Sequence, residues 1–283
     1  MTPLQHWRKR RATGALLRPL VMGVVNVTPD SFYDGGKHAR HAEALAHALV
    51  LVGEGADYID IGGESTRPGA PAVSVQLELD RVIPVIEALR AQSDVAISID
   101  TSRAEVMRAA CSAGAQLIND VRALTAAKAL EVAIAADVDV CLMHMQGSPA
   151  TMQDEPHYKD VVASVREFLE ARVSKCVAAG IEPGRILVDP GIGFGKILRH
   201  NLELLRVLPT WAAQGQQIAL GVSRKSMLGD ITGQPASRRL YAGLAVAMHA
   251  ASAGVTLLRA HDVAATIETL QVWAAINGVS DTE

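Results

Sequence analysis

Aromatic residues are scarce, 4% of the 283 positions, while 49% are hydrophobic overall, so the core must be built from Val, Ile, Leu and Ala. Cysteine is scarcer still. Cys111, Cys141 and Cys176 are odd in number and far apart. That spacing excludes a disulfide framework and a zinc cluster, and it fits buried thiols in a reducing cytoplasm. Charge of one sign is also lacking. A net charge of -3 gives no bulk field that would select nucleic acid. No apolar stretch approaches the roughly 20 residues that cross a bilayer, and no low-complexity linker divides the chain. One domain at 19–278 is therefore expected, and a chain of this length buries a core without staples. The run Arg8-Lys9-Arg10-Arg11 precedes an apolar stretch too short for an export signal and broken by Arg18. Residues 1–18 read as a solvated basic extension and 279–283 as a tail.

What the chain does have is a repeated grammar. At 186–188 a short apolar run ends in Asp189, and a proline and three glycines follow within six residues. Apolar runs fill an interior, and glycines let backbone approach a ligand closely. Similar runs occur at 20–25, 58–61, 95–99, 115–118, 138–143, 218–222 and 255–258. Helical spacing separates them, with segments expected near 42–52, 74–90, 103–113, 125–136, 159–179, from about 201, through 240–248, and on to about 276. Continuous apolar strands alternating with helices indicate a parallel sheet covered by helices. Eight such units in this length fit a closed α/β fold, the (β/α)8 TIM barrel. An open doubly wound sheet is the alternative. In both folds the polar residues at the C-terminal strand ends converge on one crevice.

Those strand-end residues are Asn26, the turn from Glu64 to Arg67, Asp100, Asn119, Asp189, Lys225, Arg259 and His261. Mutual pairing, such as Lys225 with Asp189 or Asp120 with Arg122, is the bland account of each one. As a set they divide into two chemistries. Asp100, Asn119 and Asp189 offer acceptors and an amide, with Lys225 nearby. A carboxylate matches two parallel N–H groups of a flat heterocycle. Asn26, Arg67, Arg259 and His261, with Ser31, Ser65 and Thr66, offer donors on glycine-rich turns that suit a phosphate or pyrophosphate. The expected crevice has a planar base at its floor and an anion at its rim.

The motifs resemble the dihydropteroate synthase family over nearly the whole chain. They occur in that family's order: NVTPDSF at 26–32 with DGG at 34–36, DIGGESTRPG at 60–69, SIDTS at 98–102, IND at 118–120, DPGIGFGK at 189–196, SRKS at 223–226 and RAHDV at 259–263. The resemblance implies that the amine of 4-aminobenzoate displaces pyrophosphate from 6-hydroxymethyl-7,8-dihydropterin diphosphate. It implies a pterin pocket of Asp100, Asn119, Asp189 and Lys225 with Met143 as an apolar wall and Gly221 beside it. It implies Asn26 as ligand of a Mg²⁺ cofactor, diphosphate contacts from Thr66, Arg67, Arg259 and His261, and aminobenzoate contacts from Phe194, Pro68 and Ser226. Asp100, Asp189, Lys225 and Arg259 carry the catalytic roles, and a homodimer in the cytoplasm is the implied assembly. The glycine-rich loops at 27–37 and 62–73 are expected to close over the diphosphate and to order binding, pterin first. Asp60 and Glu64 read as fixing their own loop, His144 as a satisfied structural histidine, and Asp262 equally as a helix cap or a ligand contact. Departures from the family's pattern, Tyr33, Ile192, Ile197 and Ala260, remove no donor or acceptor. Two rival readings are a pterin-binding module of methyltransferase type and a catalytically silent paralogue.

Overall fold

The computed structural model describes residues 1–28, 37–65, 73–148 and 151–279. The strands are β1 (Leu20–Asn26), β2 (Tyr58–Gly62), β3 (Ala96–Asp100), β4 (Leu117–Asp120), β5 (Asp139–Met143), β6 (Ile186–Asp189), β7 (Ala219–Gly221) and β8 (Leu257–Ala260). The helices are α1 (Pro3–Arg11), α2 (Lys37–Gly53), α3 (Val75–Arg90), α4 (Ala104–Ser112), α5 (Ala129–Ala136), α6 (Val161–Ala178), α7 (Leu198–Ala213), α8 (Ser226–Thr232), α9 (Leu240–Ser252) and α10 (Val263–Ile276). All strands pair in parallel, in the order β6-β5-β4-β3-β2-β1-β8-β7. The two remaining edges meet at a bridge between Val188 and Ile218, where the Val188 N–H donates to Gln217 O at 2.9 Å. Strand order follows chain order around the whole sheet, so there is no switch point and the sheet is a barrel rather than doubly wound.

Side chains alternate across this barrel wall with period two. One phase, including Val21, Val25, Ile59, Ile61, Ile97, Ile99, Val140 and Leu142, packs outward against the helices in one continuous core. The other phase points inward and changes character along the axis. At the N-terminal end it is apolar: Leu20, Met22, Tyr58, Ala96, Leu117, Leu187 and Leu257 form a separate buried cluster. Nearer the C-terminal end it carries Asp60, Ser98, Asp100, Asn119 and Arg259, brought level by the registers Asp60 with Ser98, Asp100 with Asn119, and Met22 with Arg259.

The apolar end of the interior needs a cover, and α1 supplies it. Thr2 caps the helix in a capping box with Gln5, and Pro3 opens it. Leu4 is fully buried in the inner cluster, and its N–H donates to the Tyr58 hydroxyl at 3.2 Å. Thr2 Oγ1 donates to Asp139 at 2.6 Å, and the Trp7 indole to Arg18 O at 3.0 Å. The solvated extension expected at 1–18 is therefore corrected. Its basic residues lie in the last turn, where the helix dipole favours cations, but one leucine closes the barrel floor. A second difference is α8, a short helix between β7 and α9 that the 3.6-residue spacing did not reveal. No helix among the described residues is long and apolar enough to cross a membrane.

Candidate active site

Asp60 is the hub of the inward polar ring. It is fully buried on β2. Its Oδ2 accepts from Arg259 Nε at 2.6 Å and from Asn119 Nδ2 at 3.2 Å. Arg259 Nη2 also donates to Asp100 Oδ2 at 3.0 Å. The guanidinium is thus strapped to two carboxylates from neighbouring strands, and Asn119 is tied to the same point. Burial alone would lower the Arg259 pKa, but Asp60 and Asp100 more than reverse that and hold the cation charged. Asp100 is pushed up to about 7 by burial, with Arg259 opposing and the charge of Asp60 adding to the rise. Asp60 Oδ1 and the Ser98 hydroxyl, level with each other on β2 and β3, are buried with no hydrogen-bond partner among the described residues.

Asp189 ends β6, in register with Met143 on β5. Its Oδ1 accepts from Gly191 N at 2.7 Å. Burial raises its pKa, and Lys225 opposes the rise most strongly. Lys225 follows β7. Its Nζ donates to Ile192 O and stands 4.6 Å from the centroid of the Phe194 ring. Burial lowers its pKa to about 8, against the pull of Asp189. The bland pairing of Lys225 with Asp189 is therefore not a hydrogen bond here. Gly221 lies opposite Arg259, and a Cβ at that position would stand 4.0 Å from Lys225 Nζ. The other bland pairing holds through the backbone: the Asp120 carboxylate accepts from the N–H groups of Arg122 and Leu124 at 2.8 and 2.7 Å and from Ser102.

On the opposite side of the ring, β1 ends at Asn26, level with Gly62 and then Asp100. A Cβ at Gly62 would stand 3.7 Å from both Asn26 Oδ1 and Asp100 Oδ2, so the glycine leaves a gap between these two oxygens. His261 receives the Ser223 hydroxyl against its Nδ1 at 3.1 Å and donates its N–H to the same oxygen at 3.2 Å. Asp262 precedes α10 without a side-chain capping bond and pairs instead with Arg224. Ser226 is exposed at the start of α8. Glu64 accepts from Val73 N at 3.1 Å and from Arg103 at 3.0 Å, the loop-fixing role expected of it. Thr66, Arg67 and Pro68, like most of the loop after β1, lie outside the described residues.

Asp100, Asn119, Asp189, Lys225 and Arg259 thus stand on β3, β4, β6, the β7 loop and β8 around one mouth. The sequence reading is corrected on two points. Arg259 does not stand apart from the base-matching acceptors; it is bonded to one of them. Asp60 does more than hold its loop. The signal for Asp60 was available in the alternation Tyr58, Asp60, Gly62, which puts the carboxylate on the inward phase.

Comparison with known proteins agrees. A profile of the pterin binding enzyme family matches residues 22–261. The dihydropteroate synthase of Escherichia coli is 48% identical over 257 residues, covering 91% of each chain. The chain belongs to the dihydropteroate synthase family. The structure of the Xanthomonas albilineans synthase with 4-aminobenzoic acid superposes with a TM-score of 0.88 at 51% identity, covering 94% of this chain and 95% of that one. The same organism's synthase in complex with 7,8-dihydropteroate gives 0.85 at 48%, covering 94% and 96%. In family terms the Asp60 hub lies inside the DIGGES motif, and Lys225 inside the SRKS motif.

Proposed function

We propose that this chain condenses 6-hydroxymethyl-7,8-dihydropterin diphosphate with 4-aminobenzoate to give 7,8-dihydropteroate and pyrophosphate. One observation carries the reading: Asp60 and Arg259 join the acceptors that suit a flat base edge to a cation that suits a diphosphate. Asp100, Asn119, Asp189 and Lys225 hold the pterin, with Met143 as a wall and Gly221 leaving room for the Lys225 head. Arg259 and His261, with Thr66 and Arg67, take the diphosphate. Phe194, Pro68 and Ser226 surround the aminobenzoate.

The bond between the methylene carbon and the bridging oxygen breaks first, and the electron pair leaves with pyrophosphate. Arg259 meets the negative charge that develops there. Two carboxylates fix it in advance, so no reorganisation is needed at the moment of reaction. The positive charge left on the methylene spreads into the pterin ring, where ionised Asp100 and Asp189 stabilise it. The arylamine nitrogen then forms the new bond to the methylene carbon and releases a proton to solvent water. No side-chain nucleophile is required.

A magnesium ion fits the donor set. No group of three or more carboxylate, His or Cys side chains that could cage a metal is found among the described residues. Mg²⁺ commonly uses one or two protein oxygens and fills its shell with water and phosphate oxygens. Asn26 Oδ1, facing the gap beside Gly62, would hold it. When bound it neutralises charge on the leaving diphosphate. A cytoplasmic homodimer completes the proposal. Exposed Tyr241 and Met248 on α9 and Val272 and Ile276 on α10 are the apolar side chains a second copy would cover. Sedimentation as a monomer at assay concentration would end the dimer assignment.

The test is pyrophosphate release from the pterin diphosphate, with and without 4-aminobenzoate and Mg²⁺. Asp100→Asn and Arg259→Ala should each lower turnover by about 100-fold or more, the scale of losing a group aimed at developing charge. Near-normal turnover in either variant removes that residue's role.

A further inference from the structure

Lys196 is 3% exposed, and none of its hydrogen bonds reaches the polar ring. A buried ammonium is costly unless it is fully bonded, so its partners matter. Its Nζ lies 3.0 Å from Gly191 O, 2.9 Å from Phe194 O, 3.3 Å from His144 O and 3.0 Å from His144 Nδ1. Burial and the neighbouring Lys196 push the His144 pKa down to about 3, so the ring stays neutral and Nδ1 can accept. His144 in turn packs edge-on against Phe168, with ring centroids 5.1 Å apart.

The reason for this arrangement is the backbone of the glycine loop. Gly191, Gly193 and Gly195 have φ of +69°, +79° and +61°. A Cβ at Gly191 would stand 1.9 Å from His144 O, and one at Gly195 would stand 2.7 Å from Gln146 O. A loop whose alternate glycines turn left-handed forms neither helix nor sheet, and apart from the turn bond from Phe194 N to Gly191 O at 3.1 Å its carbonyls need side-chain donors. Every one of them has a side-chain donor. Lys196 serves Gly191 and Phe194, Lys225 serves Ile192, Gln153 serves Gly193 at 2.6 Å, and Tyr158 serves Gly195 at 2.9 Å. The same loop presents Phe194 to Lys225.

We propose that Lys196 is a positioning residue: by clamping the Gly191 and Phe194 carbonyls against the end of β5, it fixes the Phe194 loop and sets affinity for the arylamine but not for the pterin diphosphate. This rests on the activity proposed above. Lys196→Met keeps the stem and removes every donor. The expected result is a rise of about tenfold in KM for 4-aminobenzoate, the scale of a lost hydrogen bond to a charged group. KM for the pterin diphosphate and kcat at saturating 4-aminobenzoate should stay within about threefold, because Asp100 and Asn119 stand on β3 and β4, while Asp189 and Lys225, which bond Gly191 N and Ile192 O of this loop, are placed by the end of β6 and the start of α8 rather than by Lys196. A role in stability alone would instead lower kcat with the folded fraction and leave both KM values unchanged.

Tyr158→Phe is the milder variant. It frees Gly195 O, keeps the ring against His200, and should raise KM for 4-aminobenzoate about threefold with the same split, as for one neutral hydrogen bond. An unchanged arylamine KM in Lys196→Met overturns the clamp, as does an unchanged KM in Tyr158→Phe should Lys196→Met fail to fold. Wild-type protein in the same assay separates the two readings. No pyrophosphate release from wild type refutes the activity itself. Normal wild-type turnover with an unshifted variant refutes only the clamp.

Discussion

Removing Asp60 tests how the site is held together. Its Oδ2 holds a guanidinium and an amide at once. Hydrogen bonds to charged groups contribute about 1.5–3 kcal/mol and neutral ones about 0.5–1.5 kcal/mol. In Asp60→Asn the amide oxygen can still accept both, but the carboxylate charge that assists each bond is lost, and the Asn119 bond becomes neutral. Charge assistance roughly doubles such a bond, so the loss is about 1–1.5 kcal/mol at each bond, or about tenfold for each in kcat/KM. In Asp60→Ala both bonds vanish, Arg259 keeps only Asp100, and the Asn119 amide loses its acceptor. Both bonds end on a charged group, so the two losses together come to about 3–6 kcal/mol, which is at least about 100-fold. The assay is pyrophosphate release from purified variants, with thermal melts run in parallel. The residue holds Arg259 directly, so the sharper readout is coupling. In a double-mutant cycle with Arg259→Lys, the combined loss should fall short of the sum of the singles, because the contact is shared. Strict additivity, or an Asp60→Ala variant within threefold of wild type, would refute the view that Arg259 is positioned from below.

Other outcomes follow from the same geometry. Asp100 acts as a carboxylate with its pKa raised to about 7, so kcat/KM should fall as pH drops through about 7; Lys225 acts protonated with its pKa lowered to about 8, giving an alkaline fall near there. In Asp60→Asn the acid limb should move to lower pH, because the negative charge of Asp60 helps to raise Asp100; a limb that moves up would contradict the assignment. Gly191→Ala should destabilise the fold by at least the roughly 1–2 kcal/mol of a left-handed non-glycine backbone, with the clash at His144 O in addition, as a lowered urea midpoint. Leu4→Ala should cost about 2–5 kcal/mol of stability, as for a fully buried leucine, while turnover at 25 °C stays near wild type; an unmoved midpoint would show that α1 does not plug the barrel. Calorimetry should find tight 4-aminobenzoate binding only when pyrophosphate and Mg²⁺, or a pterin, are present, and tight binding without them would reverse the order.

The strand pattern was legible because each inward or outward position carries its own burial requirement. Apolar outer residues such as Ile59, Ile61, Ile97 and Ile99 mark β2 and β3 directly. The glycine loop after β6 was legible because Gly191, Gly193 and Gly195 take a backbone that other residues resist. Three features were less visible. Asp60 and Asp100 are both strand carboxylates in the sequence, and only the Tyr58, Asp60, Gly62 alternation separates a loop anchor from an inward group. Helix α1 was hidden by its charge: four basic residues outweigh one leucine in any local average, yet the one leucine is the part that docks. Lys196 reads locally as the last residue of a motif, with no sign that it donates back to Gly191 and Phe194.

The sequence by itself determined eight strand–helix units, the mouth on which their polar residues converge, and the family, while the order of the strands and their closure at Val188 and Ile218 decided for a barrel over an open sheet. The first three depend on period, turn chemistry and ordered motifs, which are local and additive along the chain. Only the tertiary structure decided that Arg259 is shared between Asp60 and Asp100, that Lys225 bonds a loop carbonyl rather than Asp189, and that the first helix closes the floor. Each of those is a choice among several available partners. Such a choice is made by distance and burial once the wall has closed.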